Sequence, residues 1–297
     1  MFDRWRKRYR MSRFNRLILG VLETPPIRIV DAPCTIMSMV SNFDVPMYLL
    51  SLKSFYARLG RGKVTAIIDR DMPQSLRDTL RRHVEGIRFQ VLEDIDTGAC
   101  QRGGTWERLV HVLNHSRDEY TIQIDSDTLA FGPDVSEVLS CIEGNVAFTM
   151  SDKMPIVSLT EAAVQARAIT SNYIGIVTEQ AFDRHPNASR LKYVRGSSGF
   201  AGFSRAGFDP AQIQDFHRVM DEMLGSRWQE WGTEQCGSNF AVANSPGAVT
   251  LPFPQYSSFY PGGPRDESKM LHFIGAHRFE EGFFASRGQR VISQLKD

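Results

Sequence analysis

The stretch Tyr120 to Gly132 reads YTIQIDSDTLAFG, and it limits what the chain can become more than any other segment. Its first five residues are mostly Tyr, Thr and Ile, the aromatic and β-branched types that suit a buried strand. That strand delivers Asp125 and Asp127 to the point where it must end. Residues two apart on extended backbone share a face, so both carboxylates can aim at one cation while Ser126 points away. Neighbouring carboxylates repel unless something positive lies between them. A divalent metal carrying a diphosphate meets that need, because hard oxygen ligands suit Mg2+ or Mn2+. An isolated D-x-D equally fits a solvated surface turn, so the surrounding sequence has to decide.

The chain is long enough, at 297 residues with 42% hydrophobic content, to bury a sizeable core. Its net charge of +1 hides an asymmetry: Met1 to Arg16 holds seven basic residues and one acidic, and that +6 leaves −5 for the remainder. An acidic body argues against a nucleic-acid binder, which would carry a basic face or stripe. Cys34, Cys100, Cys141 and Cys236 are scattered without a C-x-x-C pair, which reads as reduced thiols of a cytoplasmic protein. No apolar run approaches the length needed to span a membrane. The first 26 residues mix Arg and Lys with Phe2, Trp5, Tyr9, Met11, Phe14, Leu17 and Ile18, and Pro25 and Pro26 close the segment. Such a basic amphipathic helix suits peripheral contact with an anionic membrane face, and equally suits an ordinary solvated terminus.

Residues 27–297 read as one domain. Cys34 to Val40 predicts a strand and Val45 to Leu59 a helix, followed by a strand at Val64 to Asp69 and a helix at Pro73 to His83. A strand at Ile87 to Leu92 and a helix at Thr105 to Asn114 lead into the D-x-D strand. This alternation predicts an α/β fold, a mostly parallel central sheet with helices on both faces. Ligands of such sheets bind beyond the carboxyl ends of the strands, where Ser41, Asp69 and Asp125 would lie. Downstream, Val146 to Met150 predicts a strand and Thr160 to Ile169 and Asp209 to Leu224 predict helices. Gly196 to Phe203 is small enough in side chain to allow close approach of a ligand or of backbone.

Taken in order, these residues resemble the GT-A glycosyltransferases, and within them the retaining family 8 group typified by galactosyltransferases and glycogenin. The resemblance spans roughly Thr35 to Phe279. Asp125-Ser126-Asp127 matches the D-x-D that holds manganese and the donor diphosphate. Arg108, seventeen residues earlier, stands where the family has a basic residue that helps to hold the donor. Ser197-Ser198-Gly199 stands in place of Asn, a small residue and Gly. Glu234-Gln235, with Asn239 after it, resembles D-Q-D-x-L-N, which borders the transferred sugar. Leu251-Pro252 and then His272-Phe273-Ile274-Gly275 resemble L-P followed by H-F-x-G-x-x-K-P-W. K-P-W is replaced here by Arg278-Phe279-Glu280, which keeps a cation with different geometry.

The resemblance implies a GT-A, Rossmann-like nucleotide-diphospho-sugar transferase fold. It also implies metal-dependent transfer of a sugar from a nucleotide-diphosphate donor, a UDP-sugar, to a hydroxyl of a glycan or glycolipid, with retention. Asp125, Asp127 and His272 would hold Mn2+ or Mg2+. Arg108, Arg278, Ser198 and Gly275 would accommodate the diphosphate, Ser38, Ser41 and Asp69 the nucleoside, and Glu234 and Gln235 the reacting sugar carbon. Two other readings compete. A sugar nucleotidyltransferase should carry a Gly-rich phosphate loop after its first strand, where this chain has SMVSNFDVP. A non-catalytic glycan- or nucleotide-binding protein would keep the fold without the metal, against which the two aspartates and His272 stand.

Overall fold

Runs rich in Val, Ile and Thr become the strands of one seven-stranded sheet. In chain order its strands are β1 (Cys34–Val40), β2 (Lys63–Ile68), β3 (Arg88–Val91), β4 (Tyr120–Ile124), β6 (Phe148–Met150), β7 (Ser197–Phe203) and β8 (Val249–Thr250). The computed structural model describes residues 2–263, 265–275 and 277–296, and side chains from Arg8 onward. Strand order across the sheet is β8-β6-β7-β4-β1-β2-β3. β1, β2, β3 and β4 are parallel, β8 is parallel to β6, and β7 alone runs against both of its neighbours.

Helices cover both faces because the buried strands are apolar on both. Alternate residues of β1 enter different cores: Ile36 and Val40 pack with α2 (Val45–Leu59), whereas Met37 packs with α4 (Trp106–His115), α8 (Pro210–Leu224) and α9 (Thr233–Ala243). Local chemistry sets the ends of α2. Pro46 lies in its first turn, where a missing amide costs nothing, and Gly60 closes it at φ 74°, a conformation that favours glycine.

A second, three-stranded sheet positions the site. β5 (Thr128–Ala130), β9 (Tyr256–Ser258) and β10 (Met270–His272) lie in the order β9-β10-β5, with His272 opposite Thr128. Of its strands, β9 lies inside a stretch rich in Tyr, Phe, Pro and Gly, Phe253 to Gly263. The Gly and Ser rich segment is likewise a strand: at Gly202 an added Cβ would stand 2.3 Å from the Phe148 ring of the adjacent strand, so only glycine lets β7 pair there. The remaining helices α5 (Ser136–Glu143), α6 (Leu159–Arg167), α7 (Ile174–Ala181) and α10 (Phe283–Gln294) complete the layers with α3 (Gln74–His83). Among the described residues no helix is long and apolar enough to cross a membrane. The four cysteines are buried as free thiols.

The basic segment forms α1 (Phe2–Ile18), of which Phe14 and Ile18 join the core. The Phe14 and Phe284 rings lie 4.5 Å apart, tying α1 to α10. Phe2 and Trp5, which contribute to the amphipathic reading, fall outside the described side chains. Exposed Arg8, Arg10, Arg13 and Arg16 keep the outer face cationic. A buried lysine fastens the chain beyond α1: Lys53 of α2 donates to the Thr24 Oγ1 at 2.7 Å, to the Pro25 carbonyl at 2.6 Å, and lies 3.0 Å from His83 Nδ1. Burial, then the charges of Lys53 and Arg82, hold His83 down to about 4, so its neutral ring accepts from the ammonium.

That depression makes stability depend on acidity. The unfolded chain binds a proton at His83 near its ordinary value and the folded chain only well below it, so this contribution is present above pH 6.5 and is lost as pH falls towards 4. The stability advantage of wild type over His83→Gln, measured by urea unfolding, should shrink by roughly 1 to 3 kcal/mol across that window. An advantage that stays constant with pH assigns the acid response to other groups.

Candidate active site

The D-x-D turn is clamped from three sides through its backbone. The Asp125 amide donates to the Gly199 carbonyl of β7 at 2.8 Å, and Ser51 Oγ of α2 donates to the Asp125 carbonyl at 2.9 Å. The Phe273 amide, just after β10, donates to the Asp127 carbonyl at 2.8 Å. With main-chain groups so occupied, the two carboxylates are free to point into a cavity of about 770 Å3. Sequence reasoning missed Ser51; the signal was two serines, Ser51 and Ser54, on a helix that is otherwise apolar apart from Lys53 and Arg58.

His272 completes a cluster with Asp125 and Asp127 whose ligand atoms all lie within 4.8 Å of one another. Its Nε2 is 3.2 Å from Asp127 Oδ1 and 3.8 Å from Asp125 Oδ2, while Nδ1 lies 2.8 Å from Ser197 Oγ. A ring whose far nitrogen is held by a hydroxyl presents the near one in fixed orientation, as metal-ligating histidines do. Two hard carboxylates and an imidazole therefore fit Mn2+ or Mg2+. Burial opposes the His272 charge, but Asp127 and then Asp125 outweigh it and raise its pKa. Burial likewise would raise Asp127, yet His272 and Arg278 hold it down to about 2. Gly199 makes the arrangement possible, since an added Cβ would stand 2.3 Å from His272 Cε1.

Two arginines share the remaining carboxylate charge. Arg278 pairs with Asp127 and donates through Nε to the Phe273 carbonyl at 3.3 Å. Arg108, only 4% exposed, pairs with Asp125 and reaches both oxygens of Glu234 at 3.2 Å. Glu234 is fully enclosed, and burial together with the Asp125 charge lifts its pKa against the opposing pull of Arg108. Helix packing makes this bridge: α4 lies so close to α9 that a Cβ on Gly237 would come within 2.9 Å of Leu109 and Trp106. Trp106 Nε1 donates to Thr233 Oγ1 at 3.0 Å across the same contact. The chain enters α4 through Gly103, Gly104 and Thr105, all at positive φ; for β-branched Thr105 at 73° that is strained backbone at the cavity wall.

The cavity thus gathers Arg108, Asp125, Asp127, Ser198, Glu234, Gln235, His272, Gly275 and Arg278 of the sequence-predicted residues. A Cβ added to Gly275 meets no protein atom within 4 Å. Ser38, Ser41, Asp69 and Ser126 are not part of its lining. Ser38 is buried within β1, Ser41 Oγ donates to Asp44 Oδ2 at 2.6 Å, and Asp69 sits beside Asp71 and Glu93, which with burial raise its pKa. The cavity opens over β6, β7 and β4, whereas Ser41 and Asp69 follow β1 and β2 on the other half of the sheet. Sequence reasoning did not foresee Asp152, Tyr173 and Arg195 in the lining; Arg195 is aimed there by its pairing with buried Glu179.

Replacing Gly199 by Ala should displace the His272 ring and cost about 1 to 3 kcal/mol of stability through overpacking. Denaturant unfolding checks the cost, and a crystal structure of the variant checks the ring; an unmoved imidazole would contradict the role assigned to Gly199.

No protein-family model matches the chain, and no curated protein matches its sequence. Solved structures do match. An active-site mutant of LgtC is 12% identical with a TM-score of 0.53, covering 88% of this chain and 95% of that one. The WbbM bifunctional glycosyltransferase is 14% identical with a TM-score of 0.50, covering 84% of this chain; the chain spans about half (47%) of WbbM. Both are GT-A glycosyltransferases, and the mixed sheet flanked by helices is the GT-A fold that the sequence motifs imply.

Proposed function

We propose that the protein transfers a sugar from a nucleotide-diphosphate donor, a UDP-sugar, to a hydroxyl of a glycan or glycolipid, with retention and with dependence on Mn2+ or Mg2+. The observation that carries this reading is the Asp125, Asp127 and His272 cluster inside a cavity that also holds two arginines. Acids alone would repel a diphosphate; acids that can hold a cation, set beside Arg108 and Arg278, can bind one.

Asp125, Asp127 and His272 would hold the metal, which when bound supplies Lewis acidity at the diphosphate. Arg108 and Arg278, which pair with Asp125 and Asp127, would share negative charge as the leaving group departs. Ser198 and Gly275 line the space in which the diphosphate would lie, and Ser126 belongs to the turn that carries its metal ligands. Glu234 has both oxygens held by Arg108 in a buried site, a geometry that supports it as the carboxylate that would face positive charge on the sugar ring. Gln235, half-buried on the same helix turn, offers a neutral amide to sugar hydroxyls. Ser38, Ser41 and Asp69 would meet the nucleoside only if the base extends along the sheet edge past β1. The exposed arginines of α1 support peripheral contact with an anionic membrane at its cytoplasmic face.

Calorimetric titration of UDP with and without Mn2+ tests the donor site. Micromolar binding that needs metal and disappears in Asp127→Ala is the expected outcome, together with slow hydrolysis of the cognate UDP-sugar. Glu234→Gln should keep UDP binding within about threefold while lowering kcat by roughly a hundredfold or more, the scale of losing one fixed charge at a reacting centre. Binding of neither UDP nor GDP by folded protein with metal present would refute the proposal.

A further inference from the structure

A second cavity, of about 760 Å3, lies between α1 and the segment leading into α10. Its accessible apolar lining is Tyr9, Leu17, Phe279 and Ala285, above the buried rings of Phe14 and Phe284, and its cations are Arg10, Arg13 and Arg278. Arg10, Arg13 and Leu17 recur at the spacing of one helix face, so α1 presents charge and apolar surface together. Among the described residues Arg10 and Arg13 have no ion-pair or hydrogen-bond partner. Glu281, the acid in the lining, is already paired with Arg265. Two exposed guanidinium groups without acids, above an apolar floor, are poised for an anionic amphiphile.

Arg278 decides what that amphiphile is for. It lines this cleft and the donor cavity alike, and it touches Asp127 of the metal cluster. A head group held by Arg10 and Arg13 would therefore end beside the site of sugar transfer. Guanidinium forks match phosphate oxygens in planar, paired hydrogen bonds, and more than one arginine suits a head group with more than one negative charge.

We infer that the cleft between α1 and α10 binds the acceptor as a phosphate- or diphosphate-bearing lipid, the head group on Arg10 and Arg13 and the chain over Tyr9, Leu17 and Phe279. This rests on the glycosyl-transfer reading and narrows its acceptor to a lipid-linked one. Membrane proximity is then a property of the substrate itself, with α1 serving as part of the acceptor site.

Farnesyl diphosphate, a dispersible isoprenoid diphosphate, is the probe, titrated by calorimetry in EDTA so that the metal cluster cannot capture it. Inorganic pyrophosphate is the head group alone. Wild type should bind farnesyl diphosphate at least tenfold more tightly than pyrophosphate, and the exposed-site variant Arg10→Gln/Arg13→Gln should lose about tenfold or more of that affinity. Leu17→Ser should weaken the isoprenoid and leave pyrophosphate unchanged. Equal affinity for the two probes, equal affinity of wild type and the double variant, or no binding at all would each overturn the inference. UDP titration with Mn2+ on the same samples separates the two readings: it should be unchanged in the double variant, and its loss in wild type would indict the donor site and not the cleft.

Discussion

Asp125, Asp127 and Glu234 bring three carboxylates into one cavity, and their mutual repulsion is the constraint that the rest of the site obeys. Like charges about 4 Å apart repel by about 4 kcal/mol at an effective dielectric of about 20. Arg108 stands between two of them and Arg278 pairs with the third, while His272 leans on the D-x-D with its raised pKa. Every one of these cations arrives from a different element: α4, the chain after β10, and β10 itself. The second sheet, the close packing at Gly237 and the missing side chain at Gly199 all serve that convergence. A divalent ion held there would face the same two carboxylates that raise the His272 pKa and would compete with a proton for its ring nitrogen.

Much of this was legible from the chain. A strand of Tyr, Thr and Ile ending in D-S-D can only be buried and then abruptly polar, which is why β4 and its turn fall where the pattern puts them. His272 was legible through its neighbours in H-F-I-G, and the alternation of strand and helix up to β4 came from periodicity alone. Periodicity does not carry the sideways contact. The Arg108 to Glu234 bridge joins residues 126 apart and depends on how closely α4 and α9 approach, which a single glycine in the middle of a helix determines. Nor does periodicity say which strand ends open into one cavity. Ser41 and Asp69 share a sheet edge with Asp125, but sharing an edge does not place them over the same half of the sheet.

The N-terminal helix shows the same limit from the other direction. Its composition suits a membrane-contacting segment or an ordinary solvated terminus, yet Phe14, Ile18 and the nearby Val21 are part of the main core, and Lys53 grips the backbone where the segment ends. The helix is thus both structural and cationic: one side packs on α10, and the other keeps its arginines exposed. Placing that cationic face next to Arg278 links the surface of the protein to the Asp125, Asp127 and His272 cluster through one side chain.

The claim on which everything else rests is that Asp125, Asp127 and His272 hold one divalent cation. Crystals grown with Mn2+ and UDP, with anomalous diffraction data, test it most directly. A single strong anomalous peak about 2.0 to 2.3 Å from a carboxylate oxygen of each aspartate and from His272 Nε2 is predicted, with the diphosphate on its open side. A peak elsewhere, or ordered UDP in the cavity with no peak at the cluster, would contradict the account.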